Sequence, residues 1–394
     1  MSEYKINFIN HSCIKIENEK HCVLFDPWFF GKVFNDSWCL MRDLGEEFID
    51  FKKVTHIFIT HEHPDHLSWP TLKKIRALTD QKIWVLMGKR ENDNVKDAIT
   101  KMGFSFMYIP EDYRVKISDS FFLTNYNTGH DSGQMLEINE KKVFNQNDCK
   151  FSDEKISYIK SKHGHINALL YQFGLAGYYG NRDSYDKLIT AQDTHINLIR
   201  KYSSVLKPDF YVPYASHIKF CKKYNNFLNK WQVSMEMLNE RIKELEVQYL
   251  YYGDELLFDK EEYTNRNESN LKKWTIETEK KIEISDPKPY TESEIIEECN
   301  RFSLKYTPVA NMPKLVRINF FDLDATLECN FQEKKFQFLP KNSNCIGILP
   351  AEEFVSFLKF PWGADTLNIT SCFDIIDVQA WKQLLVWKDQ LYKR

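Results

Sequence analysis

No histidine follows His217 in this chain of 394 residues; all eleven lie between His11 and His217. Any site built on imidazole therefore belongs to the first part of the chain. The nine cysteines are scattered and never spaced C-x-x-C, which argues for a reducing cytoplasm rather than a disulfide framework. The paired C-x-H and C-x-x-H spacings of a Rieske centre are also missing. No apolar run approaches the roughly 18 residues of a membrane-spanning helix. The opening Met1-Ser2-Glu3-Tyr4-Lys5 lacks a signal-peptide pattern. A net charge of -3 without a basic stripe leaves no nucleic-acid footprint, and no arginine cluster or glycine-rich phosphate loop points to a nucleotide. The absences describe a cytoplasmic chain with no nucleic-acid and no membrane partner. At 43% apolar and 15% aromatic residues it can bury a sizeable core, as one large domain or two ordinary ones.

What is present is concentrated in Thr60-His61-Glu62-His63-Pro64-Asp65-His66-Leu67. Three histidines and two acids stand within six residues. They follow residues 54–60, whose β-branched and aromatic side chains between polar turns read as a buried strand. A strand that ends in such a knot delivers its ligands to a sheet edge, where loops carry chemistry. His61 and His63 can approach one metal ion, and Asp65 and His66 lie near enough for a second. Imidazole with carboxylate suits zinc, iron or manganese rather than calcium. Asp148 ends another expected strand, in the hairpin of residues 135–145, and a carboxylate there can bridge two metals. Asp26, before Pro27, is expected in an extended turn, where it can brace a ligand histidine from behind.

The H-x-H-x-D-H spacing resembles the metallo-β-lactamase superfamily. Phe25-Asp26-Pro27-Trp28, residues 61–74 and Asn147-Asp148-Cys149 are similar, more narrowly, to the C-terminal part of the CMP-N-acetylneuraminate hydroxylase family. The resemblance spans about residues 5–230 and implies an αββα sandwich with metals at one edge. It implies His130, at the end of an expected strand, as the third ligand of the first metal beside His61 and His63. It places the superfamily's last histidine near His217, two residues later than the usual register. Asn10-His11 resembles the glycine-histidine turn of lactonase-related members, which makes His11 a substrate-contact or catalytic candidate. The hydroxylase family carries a Rieske region that is missing here.

Residues 69–78, 94–102, 188–206, 229–243, 292–306, 351–360 and 378–387 read as helices. Residues 150–167, with Lys162-His163-Gly164-His165, and residues 265–289 read as polar linkers. The expected organisation is a catalytic domain over 1–264 and a small α+β appendage over 265–394, which can shape the pocket or form a homodimer contact.

Two metal ions are the expected cofactors, iron ahead of zinc or manganese. The first expectation for function is a diiron oxygenase acting on a small polar substrate such as a sugar or amino-sugar derivative. Its electrons would come from a ferredoxin-like partner. The second is a zinc-dependent hydrolase of an ester, lactone or phosphodiester, with Asp65 as base. A non-catalytic metal-containing binding protein is the third.

Overall fold

The strands that run parallel explain where the chemistry collects. In the computed structural model, which describes residues 3–44, 47–90, 93–309 and 312–391, two six-stranded sheets carry the first part of the chain. The first sheet runs Lys5–Asn10, Cys13–Glu17, Cys22–Phe25, His56–Ile59, Trp84–Gly88, Ser105–Ile109. The second runs Phe210–Tyr214, Ala168–Gln172, Lys141–Asn147, Asp131–Ile138, Phe121–Thr128, Arg114–Ser118. Cys22–Phe25 and His56–Ile59 are almost continuously apolar because both faces are covered. The two sheets share one apolar core, including Phe58, Leu86, Leu123, Leu136 and Leu170. Helices Trp69–Leu78 and Asn94–Lys101 follow strands of the first sheet, and Asp153–His163 and Tyr185–Leu206 accompany the second. This is the expected αββα sandwich.

Cys22–Phe25, His56–Ile59 and Trp84–Gly88 are mutually parallel, as are Lys141–Asn147, Ala168–Gln172 and Phe210–Tyr214. Their carboxyl ends open at one edge, the usual position of a site in parallel sheets. At that edge several non-glycine residues take left-handed backbone: His11 (φ 21°), Asp26 (φ 42°), Asn147 (φ 54°) and Ala215 (φ 48°). Such residues cost about 1–3 kcal/mol each and persist only where surrounding bonds over-determine them. Asp26 thus departs from the extended conformation expected before a proline. Its amide donates to Phe58 O and its carboxylate accepts from the Thr60 amide and hydroxyl and from Asn147.

Three local expectations are corrected. The polar stretch after Lys150 contains a helix, Asp153–His163, capped by Ser152 and closed by Gly164 at φ 67°. The helix expected over 229–243 is a 3-10 turn, Asn226–Trp231, and a short helix, Met235–Arg241. The stretch read as a linker over 265–289 is largely the helix Lys260–Glu279, capped by Asp259. Its buried stripe is only Tyr263, Asn270, Trp274 and Glu277, too polar to register as an apolar period. The expected division after residue 264 falls inside this helix, whose Tyr263 and Trp274 join the first core.

Beyond it, the five-stranded sheet Lys335–Pro340, Ala325–Asn330, Val316–Phe320, Gly347–Leu349, Asp374–Ile375 packs with helices Glu292–Ser303, Ala351–Lys359 and Val378–Gln390 around its own apolar cluster. A smaller cluster, with Trp28, Phe34, Trp38 and Leu188, adjoins the sheet edge. No helix among the described residues is long and apolar enough to cross a membrane.

Candidate metal centre

Thr60 ends the strand His56–Ile59 and hands the chain to His61. Its carbonyl accepts from Ser132 Oγ (2.7 Å) and from Arg90 (2.8 Å), and its hydroxyl bonds Asp26 (2.7 Å), so the start of the loop is fixed from three sides. Asp26 also receives Nδ1 of His66 at 3.0 Å. That bond fixes the tautomer and turns Nε2 of His66 toward the site, as second carboxylates do behind metal-bound histidines. Thr60 Oγ1 lies 3.1 Å from Nδ1 of His61, which likewise frees its Nε2.

Two groups of donor atoms within 4.8 Å of one another result, His11 with Asp65 and His66, and His61 with His66 and Asp148. Nε2 of His61 lies 2.9 Å from Nδ1 of His63, 3.8 Å from Asp131 Oδ1 and 3.7 Å from Asp148 Oδ2. Nε2 of His66 lies 3.3 Å from Asp65 Oδ2 and 3.7 Å from the same Asp148 oxygen. Asp65 Oδ2 is 3.1 Å from Nε2 of His11. Ligands held about 2.0–2.2 Å from one ion in tetrahedral array stand roughly 3.3–3.6 Å apart, close to the spacings around His66 and Asp148, whereas His61 and His63 stand at hydrogen-bond distance. His66 is shared by the two groups.

Electrostatics make the same point. Burial, then the neighbouring His66 and His63, hold the His61 imidazole well below its ordinary range. Burial alone pushes the Asp65 carboxyl up, but His66 and His11 outweigh it and hold Asp65 well below the carboxylate range. Burial also opposes charge on His66, yet Asp65, Asp148 and Asp26 raise it well above the usual imidazole value. Asp131 is pushed up to about 7 by burial and by the charge of Asp148. Like charges crowded this closely require a proton or a cation between them. Asp65 Oδ1 and Asp148 Oδ1 are buried with no hydrogen-bond partner among the described residues, and such orphaned acceptors need a ligand. The donor set fits two divalent cations.

Of the residues singled out in the sequence, His61, Asp65, His66, Asp148 and His11 meet here, and His63 contacts His61 at 2.9 Å from outside both groups. His130 does not: it is exposed in the turn between Phe121–Thr128 and Asp131–Ile138, outside both groups. Asp131 pairs with Thr128 across that hairpin and reaches His61 in its place. The one-residue shift follows from the two-residue turn, Gly129 (φ 59°) and His130, which sends successive side chains to different sides. His217 is also outside both groups. It is buried, stacked on Trp274 at 4.3 Å and flanked by Phe8 and Phe173. Burial, with the nearby His11, holds it down to about 3. Ser216 takes the anchoring role at that strand end, accepting from the Phe173 and Gly174 amides at 2.9 Å. His163 bonds the Tyr126 hydroxyl at 2.7 Å and His165 bonds Asp209, so the histidines around Gly164 form no metal group.

The sandwich and its histidine-carboxylate edge define a metallo-β-lactamase-type fold with a candidate dinuclear centre. Residues 5–163 match the family described as beta-lactamase superfamily domain. The cytidine monophosphate-N-acetylneuraminic acid hydroxylases of Cricetulus griseus and Mus musculus are 34% identical over 74 residues, which is 18% of this chain and 13% of theirs. Among solved structures, CmlA, a diiron beta-hydroxylase from Streptomyces venezuelae, superposes with a TM-score of 0.46 at 14% identity, over 65% of this chain and 54% of CmlA. The metallo-beta-lactamase fold protein YhfI from Bacillus subtilis does so with 0.44 at 10% identity, over 64% of this chain and 99% of YhfI.

Proposed function

We propose that this chain is a diiron oxygenase that hydroxylates a small polar substrate. The observation that carries this reading is the make-up of the two donor groups, each of two histidines and one carboxylate. The first group is His61, His66 and Asp148, and the second is His11, Asp65 and His66. Two histidines with a carboxylate are the donor set of non-haem iron oxygenases. The hydroxylase relatives support the same direction, and the name they carry suggests an acylated amino-sugar derivative as substrate class.

Iron held there supplies binding and reduction of dioxygen, the overall change being R–H + O2 + 2 electrons + 2 protons to R–OH + H2O. The chain's own part is positional. Asp26 and Thr60 lock His66 and His61 in the tautomers that present Nε2. His11 holds Asp65 in place from the buried side. Asp131, Asp148 and His63 are half-exposed, whereas His61, Asp65 and His66 are covered. The electrons come from a separate ferredoxin-like donor in this account. The buried His11–Asp65 pair, 3.1 Å apart, could equally take a proton from water; it is the one feature that favours the zinc hydrolase as second reading. Oxygen uptake by the iron-loaded protein with a chemical reductant tests the choice. Uptake with an amino-sugar derivative converted to its hydroxylated product is expected. Zinc-supported ester turnover without oxygen, and no uptake with iron, would reverse the order.

A further inference from the structure

Beside His63 lies a cavity of about 250 Å³ walled by Phe30, Phe34, Asn35, Pro64, Leu67 and Trp69. One wall is conformationally unusual. Phe34, Asn35 and Asp36 take left-handed backbone in succession, with φ of 52°, 55° and 59°. None is glycine, and single left-handed residues are the rule outside glycine. Phe34 ends with its ring edge-on to His63, 5.7 Å between centroids.

Local bonds fix the ends of this turn. Ser37 N donates to Val33 O (3.0 Å) and Ser37 Oγ to Phe34 O (2.6 Å). The middle is held by the C-terminal part. Asn35 Nδ2 donates to Glu353 Oε2 at 3.1 Å, from the helix Ala351–Lys359. Lys32 Nζ donates to Ser285 Oγ at 2.5 Å. Asn225 Nδ2 joins Ser37 O (3.1 Å) to Thr370 O (2.8 Å). Glu353 is itself fixed: its other oxygen accepts from buried Lys222 at 2.9 Å, and its side chain is wholly covered. A carboxylate is buried this deeply only where its partners hold it in one geometry.

We infer that residues beyond 280 serve as a positioning element for the pocket, in which Glu353, through Asn35, holds the Phe34–Asp36 turn and so sets Phe34 against His63. Its bearing on catalysis rests on the proposed metal centre; the contact itself does not. The C-terminal part thereby tunes what the cavity accepts without touching the metal ligands.

Hydrogen exchange measured by mass spectrometry on the full-length chain tests this, with Co(II) added as the metal probe. The variants are Glu353→Ala, Glu353→Gln and Asn35→Asp. Asn35→Asp keeps size and left-handed tolerance but sets like charges against each other, and it leaves the Lys222 pair intact should Glu353→Ala fold poorly. Exchange at Ser37 and Trp38 is expected to rise about tenfold or more in Glu353→Ala and Asn35→Asp, while His56–Ile59 stays at the wild-type rate. Co(II) stoichiometry should hold, with its visible bands shifted as Phe34 leaves His63. Glu353→Gln keeps an acceptor for Asn35 and should behave as wild type. Unchanged exchange in both disrupting variants would overturn the inference, as would acceleration spread evenly over the sheets or a Gln variant as loose as the Ala variant. A wild-type chain that binds no Co(II) would sink the metal reading, while the exchange pattern would still decide the turn.

Discussion

At the scale of single residues, Asp131 and His130 separate two accounts that the sequence alone leaves together. A histidine at a strand end beside H-x-H-x-D-H is the natural third ligand on resemblance. The hairpin geometry puts that histidine in solvent and the aspartate against His61 at 3.8 Å. Because His61 is grouped with Asp148 and not with His130, Asp148→Ala should lose about one metal equivalent and His130→Ala none, read by elemental analysis of each purified variant. The opposite pattern would restore the imidazole set and with it the preference for zinc. The spacing of His61, Asp65 and His66 after an apolar strand is a local signal, whereas their approach to Asp148 and His11 depends on the fold. His130 and His217 misled because their side-chain directions depend on a two-residue turn and on an aromatic partner 57 positions away in sequence, Trp274.

At the scale of elements, helices with an apolar period, such as Trp69–Leu78 and Tyr185–Leu206, were readable. Lys260–Glu279 was not, because one wide ring does the work of a stripe. Trp274 is 1% exposed, donates Nε1–H to Leu250 O at 2.9 Å, and packs on His217, Tyr251 and Tyr252. Trp274→Ala should cost about 3–5 kcal/mol by urea denaturation. A loss near zero would mean the helix is only laid against the sandwich.

The C-terminal helix Val378–Gln390 carries a second test. Lys388 is buried, donates to Phe360 O at 2.7 Å, and has the rings of Phe302 and Phe357 5.5 and 5.4 Å from its ammonium. Burial, with Lys305 nearby, holds it down to about 7, against an ordinary lysine value of 10.5. Between those values the unfolded chain binds the proton that the folded chain has released, so stability rises with pH across that window. Lys388→Met should raise the melting temperature by about 2–4 °C at pH 7 and by less at pH 10. An equal gain at both would show that the lysine carries no such burden.

At the scale of the molecule, two sheets, a shared edge and a C-terminal sheet converge on one cluster of donors. The parallel strands deliver Asp26, Thr60 and Asn147 to a common point, and the hairpin turn adds Asp131. The sandwich was legible from the resemblance and from the strand pattern. The grip of the C-terminal part on the pocket was not, because it runs through Asn35 and Glu353, 318 residues apart, and no local pattern announces such a contact. The central claim is a pair of adjacent metal sites built on His11, Asp65, His66, His61 and Asp148. The direct measurement is metal identity and count on protein purified anaerobically from iron-supplemented cells. The account predicts about two irons per chain; zinc alone, or a single ion per chain, would contradict it.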